Sequence, residues 1–358
     1  MPSVRAVRWH GNRDIRLDHL ELPPLEYGQV RIAPAWCGIC GSDLGEWEHG
    51  PVRYFYNLPG CPTVVGHEFT GIVREVHPSV KTIKPGTRAV ILPADGDDSC
   101  RMCVRGCHSS CERLKLYGYQ SNGGLTDLAT VKASMCFELP DSIPFDIGAL
   151  IEPLAVAWNA IEGSGFQAAT HRALVIGTGT IGLGTTACLV AMGVEPSRIM
   201  VVGRNAMRNE KAREYGINNV YSSTDINLVQ KAKDLFEKVG PDVVFDAAAT
   251  PSTFAQGLSC LRVGGVYWAY GIYHENIDGF DATQIPLRRL TLKGALGYDD
   301  HIFPAVIRAL DDGRLNHDLL RSWITGRILL EDTQEKGLGE LAMNKGEHIK
   351  ILVQVNKM

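Results

Sequence analysis

The chain has 358 residues, of which 45% are hydrophobic and 21% charged; 36 basic and 40 acidic side chains give a formal net charge of −4. That length accommodates two domains, each with its own core. The ordinary globular balance, with no basic block and no polybasic helix, argues against a general nucleic-acid or membrane role. No apolar run reaches membrane-spanning length and the first 14 residues hold no sustained apolar stretch. No secretory signal is expected, and the cytoplasm is the expected compartment.

In chain order, the first half reads as short strands with Gly and Pro between them: residues 30–35, 71–76, 88–93 and 128–131. Near residue 150 the texture changes. Residues 172–176 read as a buried strand, 181–192 as an apolar helix, 198–202 as a strand and 208–215 as a charged helix. Further apolar strands fall at 242–247 and 266–270, then a helix at 301–311 and a last strand at 349–355. Strands alternating with helices predict an α/β domain with a parallel sheet.

Gly177-Thr178-Gly179-Thr180-Ile181-Gly182 fits G-x-G-x-x-G between the first strand of that region and its helix. The first Gly permits the tight turn, the second lets backbone approach a pyrophosphate, and the third allows close helix–strand packing. The helix N-terminus then offers its free N–H groups to the phosphates. At the end of the next strand a carboxylate would select NAD through the ribose 2′-hydroxyl. The sequence reads Val202-Gly203-Arg204-Asn205 there. A missing acid beside Arg204, with Arg208 a turn further on, predicts NADP(H) over NAD(H).

The ten cysteines include four at 100, 103, 107 and 111, a crowding that points to metal ligation in a large chain without a signal peptide. Two other segments, Cys37-Gly38-Ile39-Cys40-Gly41-Ser42-Asp43 and Gly66-His67-Glu68-Phe69, join thiolate, imidazole and carboxylate, a donor set suited to Zn²⁺.

With Gly177–Gly182 and the run Ile151-Glu152-Pro153-Leu154, these segments resemble the zinc-containing medium-chain alcohol dehydrogenases, most of all their sorbitol and butanediol dehydrogenase branch. The similarity runs over nearly the whole chain. It implies a Rossmann doubly wound parallel-sheet domain, residues 154–296, inserted in a mainly β GroES-like catalytic domain, residues 1–153 and 297–358. The active site would lie in the cleft where Glu152 and Ser42 face Gly177. By position, Cys40 matches the zinc cysteine, His67 the zinc histidine and Glu68 the neighbouring acid. Glu152 matches the residue that approaches the metal directly or through water. Asp43 would orient His67, and Ser42 would pass the substrate hydroxyl proton. Cys37 reads as a buried thiol beside the site.

Two departures stand out. The family's relay histidine two residues after Asp43 is replaced by Gly45, leaving His49 as a possible substitute and Trp47 as a pocket wall. In the structural-zinc lobe the matching positions are Asp97, Cys100, Cys103 and Cys111, so the first ligand is Asp instead of Cys. Either Asp97 ligates through oxygen, or Cys107 supplies the fourth sulfur, or the lobe is weak or empty.

The function implied is zinc-dependent hydride transfer between NADP(H) and a secondary alcohol or polyol and its ketone or aldehyde. Zinc acts as a Lewis acid while the cofactor does the redox chemistry. A homodimer or homotetramer is implied, with residues 266–270 and 290–293 carrying the sheet toward a partner subunit. Two other readings are a zinc-free quinone or enoyl reductase and a non-catalytic NADPH-binding protein on the same fold.

Overall fold

Pro34 interrupts the central strand of the first half, and the way the chain absorbs it sets the local architecture. Proline has no N–H for a ladder hydrogen bond and is tolerated in sheets chiefly at edges and bulges. The strand Gln29–Gly38 is irregular at that point: its register with Glu68–Val76 shifts between Pro34 and Trp36. Gly71 faces Pro34, and a Cβ there would collide with the Ala33 carbonyl oxygen. The computed structural model describes residues 3–50, 63–273 and 275–358; Cys61 lies outside them.

Two compact units emerge. The first comprises Met1–Glu152, Asp299–Asp311 and Trp323–Met358. Its main sheet runs, in spatial order, Cys136–Glu138, Arg88–Ile91, Glu68–Val76, Gln29–Gly38, Lys350–Gln354 and Ile324–Leu329, with Ala129–Lys132 also paired to Gln29–Gly38. All these pairings are antiparallel except the last, Lys350–Gln354 with Ile324–Leu329. Ser3–Gly11, Asp14–Glu21 and Thr63–Val64 form a smaller antiparallel sheet. This is the mainly β, GroES-like domain that the sequence implies.

The second unit is Pro153–Tyr298 with Asp312–Ser322. Six parallel strands lie in the order Val220–Ser222, Ile199–Gly203, Ala173–Ile176, Val243–Asp246, Val266–Ala269 and Thr291–Gly294. In chain order that is third, second, first, fourth, fifth, sixth, the doubly wound Rossmann arrangement. The inner strands are continuous apolar runs because helices cover both faces of such a sheet; all four residues of Ala173–Ile176 are buried. Leu174, Met200, Val202, Phe236, Val244, Leu258 and Tyr267 form its core on one side.

Residues 312–322, expected with the first domain, pack with the second instead. There the short helix His317–Arg321, capped by Asn316, places the Ser322 hydroxyl 3.4 Å from Glu214 Oε2. Among the described residues no helix is long and apolar enough to cross a membrane.

Candidate active site and cofactor loop

The first cluster is assembled at one end of the main sheet of the first unit. Antiparallel pairing sets Glu68 opposite Gly38 and Phe69 opposite Cys37, while Leu352 flanks Gly38 from the other side. A Cβ at residue 38 would collide with Glu68 Oε2. Glycine at 38 is therefore what lets the Glu68 carboxylate lie across the strand. Past Gly38 the chain turns into the helix Gly41–His49, with Cys40 as its extended N-cap residue. Asp43, in the first helical turn, accepts from the Cys40 N–H through Oδ2 at 2.8 Å. Its Oδ1 lies 3.2 Å from His67 Nδ1.

The ligand atoms of Cys40, His67 and Glu68 lie within 4.8 Å of one another. His67 and Glu68 are buried and Cys40 is partly so. Burial alone would make His67 less basic, but the Asp43 carboxylate and the Cys40 sulfur prevail and hold its pKa well above the ordinary value. Glu68 Oε2 is taken by the Lys350 ammonium at 2.5 Å, which also donates to the Ile39 carbonyl at 3.0 Å. Glu68 Oε1 is buried with no hydrogen-bond partner among the described residues. A buried carboxylate oxygen left unpaired is costly, and a divalent cation between the thiolate, imidazole and carboxylate would satisfy it.

Other residues expected at this site fall in different places. Glu152 is buried at the start of the helix Ile151–Gly163 but stands outside the three-residue cluster; its charge acts on Lys350. Cys37 is fully buried with its thiol toward the Gly38 carbonyl, and burial pushes its pKa up. His49 is exposed at the end of its helix, 3.9 Å from Glu48, and is not the group that meets Ser42. Tyr119 is: its hydroxyl donates to Ser42 Oγ at 2.6 Å, and its ring lies 5.0 Å from that of His67. Trp47 is buried under the Arg13 guanidinium, which sits 5.8 Å from its ring centre.

In the lobe, Asp97, Cys100, Cys103 and Cys111 bring one ligand atom each within 4.8 Å of the others. Cys100 Sγ lies 3.5 Å from Cys103 Sγ and 3.7 Å from Cys111 Sγ. Cys107 is outside the group. Gly106, in the left-handed region at φ 75°, turns the chain so that the Cys107 sulfur faces the Arg105 carbonyl at 4.0 Å and Asp299. Of the two candidates for the fourth position, Asp97 lies with the three cysteines and Cys107 does not. Asp97 Oδ1 accepts from the Cys100 and Ser99 amides, its Oδ2 from Arg113, and these bonds depress its pKa. The amide of Cys103 points at Cys100 Sγ and, with the other donors there, draws that thiol below its ordinary value.

The glycine-rich loop of the second unit separates three uses of glycine. Gly177 has φ +100° and packs on the backbone of Ala247 and Ala248. A Cβ at Gly182 would strike the Gly177 carbonyl. Around Gly179 no atom of the described residues lies within 4 Å of where a Cβ would be. The fold thus accounts for two of the glycines, while the third faces open space. The helix Thr180–Ala191 starts at Gly179, with Ile181 in its first turn. Arg204 is exposed, and Asn205 caps the helix Ala206–Arg213 by accepting from the Arg208 amide at 3.0 Å.

A family model described as "Zinc-binding dehydrogenase" matches residues 180–312, and one described as "Alcohol dehydrogenase GroES-like domain" matches residues 26–141. The (R,R)-butanediol dehydrogenase of Bacillus subtilis is 33% identical over 362 residues, spanning 99% of this chain and 100% of that protein. The chain belongs to the zinc-dependent medium-chain alcohol and polyol dehydrogenases. The sorbitol dehydrogenase of Rattus norvegicus is 31% identical over 94% of each chain. The crystal structure of 2R,3R-butanediol dehydrogenase from Bacillus subtilis superposes with a TM-score of 0.89 at 32% identity, covering 99% of this chain and 100% of that one. As a member of this family the dehydrogenase carries out nicotinamide-linked interconversion of alcohols and carbonyl compounds.

Proposed function

We propose that the dehydrogenase interconverts a secondary alcohol, of the small diol or polyol class, and its ketone, using a catalytic zinc and NADP(H) in preference to NAD(H). The observation that carries the metal assignment is Glu68 Oε1, buried and unpaired beside Cys40 and His67. Those three side chains would hold the zinc. When bound, it supplies Lewis-acid polarisation of the substrate oxygen.

The chain's own residues then have separable tasks. Asp43 faces His67 Nδ1 at 3.2 Å as a charge partner, which would orient the ring with Nε2 toward the metal. Lys350 pins one oxygen of Glu68 so that the other stays aimed inward. Ser42 Oγ exchanges the proton of the substrate hydroxyl, with the Tyr119 phenol donating to it where the family's histidine is missing. Asp97, Cys100, Cys103 and Cys111 form the candidate site for a second, structural zinc.

For the cofactor, the support is Gly203 at the end of its strand with the exposed Arg204 beside it. A strand end without a carboxylate neither accepts from a ribose 2′-hydroxyl nor repels a 2′-phosphate. That preference favours carbonyl reduction as the working direction. The sheet edge Thr291–Gly294, exposed at all four residues, supports growth of the sheet into a partner subunit, and so a homodimer or homotetramer.

The test is oxidation of NADPH and of NADH against diverse ketones, aldehydes and sugars, with the enzyme as isolated, after chelation, and after zinc is restored. Ketone reduction that disappears on chelation and returns with zinc is the expected result. Full turnover after complete metal removal would instead identify a zinc-free reductase. No turnover with any carbonyl would leave a nucleotide-binding protein.

A further inference from the structure

We infer that Thr178, together with Asn209, determines cofactor choice by filling the space that a ribose-binding acid would need. The inference rests on the NADP(H) reading of Gly203 and names the residues that enforce it.

Gly203 is buried at the last position of the strand Ile199–Gly203. A Cβ built there would collide with Thr178 Oγ1 and Asn209 Oδ1, and would lie 2.7 Å from Thr178 Cγ2. Its absence is therefore not merely tolerated. The vacated volume is occupied by two buried side chains, Thr178 and Asn209, that bond to each other. Thr178 Oγ1 donates to Asn209 Oδ1 at 3.0 Å, and Asn209 Nδ2 donates to the Gly203 carbonyl at 3.0 Å and to the Tyr221 carbonyl at 3.4 Å. Thr178 is the residue between the first two glycines of the phosphate loop, so the plug ties that loop to the strand end and to the helix Ala206–Arg213.

The consequence is directional. A carboxylate on residue 203 would have to leave its strand through space that Thr178 and Asn209 already hold. The strand end therefore cannot present an acid to a ribose while Thr178 keeps its Oγ1 and Cγ2. Recognition of the adenosine end is pushed outward to the side chains that follow, of which Arg204 is exposed. Shortening Thr178 removes two of the three close contacts and also takes away the partner that holds Asn209 Oδ1 in place.

The experiment measures NADPH and NADH binding by fluorescence titration on the full chain, for wild type, Gly203→Asp, Thr178→Ala and the double variant. Gly203→Asp alone should weaken both cofactors. Adding Thr178→Ala should then tighten NADH by roughly tenfold over the single variant, the coupling expected of residues in contact. The inference is overturned if Gly203→Asp alone binds NADH as well as the double variant does, or if Thr178→Ala brings no more gain in that background than in wild type. Should Gly203→Asp not fold, Gly203→Ala supplies the same comparison by thermal melting. Its loss of Tm should be smaller in the Thr178→Ala background, and equal losses in both overturn the inference. A wild type that prefers NADH fails the NADP(H) reading but leaves the 178–203 coupling to be judged by the same two comparisons.

Discussion

The Lys350 ammonium and the Glu68 carboxylate meet at 2.5 Å with both side chains almost wholly withdrawn from solvent. Burial opposes the charge on Lys350, but Glu68, with Cys40 and Glu152 behind it, outweighs that penalty and keeps the lysine protonated. Removing one member of such a pair leaves the other charge buried alone, at a cost of about 3–5 kcal/mol. Lys350→Met should lower the unfolding free energy of the zinc-loaded enzyme by that order in urea denaturation and weaken its hold on zinc. Glu68→Gln combined with Lys350→Met should regain part of the loss. A Lys350→Met protein as stable as wild type contradicts the pairing.

Tyr119→Phe removes the hydroxyl that donates to Ser42 while keeping the ring. A net hydrogen bond is worth about 0.5–1.5 kcal/mol, so kcat should fall roughly two- to tenfold at about 1.4 kcal/mol per tenfold. KM should hold, because the bond matters most when the serine exchanges a proton. Steady-state kinetics across pH decide this; an unchanged kcat at every pH would remove Tyr119 from the relay.

The lobe and the catalytic cluster predict two zinc ions per chain, measurable by elemental analysis. Cys103→Ser should take away one of them and lower Tm while kcat per remaining catalytic zinc stays close to wild type. One zinc per fully active wild-type chain would mean that Asp97, Cys100, Cys103 and Cys111 are a metal-free lobe.

The same lobe is tied to Asp300 through His108, whose Nδ1 lies 2.5 Å from Asp300 Oδ2 and whose Nε2 lies 3.1 Å from Asp98 Oδ1. Burial works against protonation here, yet the two carboxylates overcome it and raise the pKa above the usual 6.5. A histidine more basic in the folded state contributes stability that is complete below its unfolded pKa and is lost as pH rises through the folded one. Tm should therefore decline above about pH 6.5 by an amount that His108→Gln abolishes. Identical pH profiles for the two proteins would count against it.

Arg204→Ala should weaken NADPH and spare NADH. A charge-assisted bond to the 2′-phosphate contributes roughly 1.5–3 kcal/mol, or about ten- to a hundredfold in preference. The ratio of kcat/KM for the two cofactors is the readout. An unchanged NADPH constant would show that the phosphate, if bound, is met elsewhere.

Much of this molecule was legible in its sequence, for identifiable reasons. The buried strand Ala173–Ile176 is wholly apolar and ends at Gly177, the helix Thr180–Ala191 is a long and mostly apolar run, and their edges fall within two residues of the expected ones. The helices Gly41–His49 and Pro251–Cys260 escaped notice. The first carries glycine at 41 and 45 and little apolar periodicity, and the second announced itself only by the Thr250–Pro251 cap. At the candidate site, Cys40, His67 and Glu68 could be named because their two segments resemble the family's zinc-binding motifs position by position. The parts played by Lys350 and Tyr119 could not, since they reach the cluster from residues hundreds or tens of positions away. The direction of the Cys107 side chain likewise follows the left-handed Gly106, a matter of backbone direction that the sequence does not report.

The bare Cα of Gly38 under Glu68 also constrains the order in which this lineage can change. Substituting residue 38 while the acid remains forces the carboxylate out of its seat. Replacing the acid by a shorter residue first relieves the clash with the carboxylate and leaves alanine at 38 only a tight 3.3 Å approach to the Cβ of residue 68. Loss of the carboxylate can therefore precede loss of the glycine, whereas the reverse path crosses a damaged intermediate. Once both have changed, a carboxylate can be regained only if the glycine returns before it. Position 38 should thus retain a trace of whether an ancestor ever gave up its acid, and a chain with a larger residue there has no simple route back.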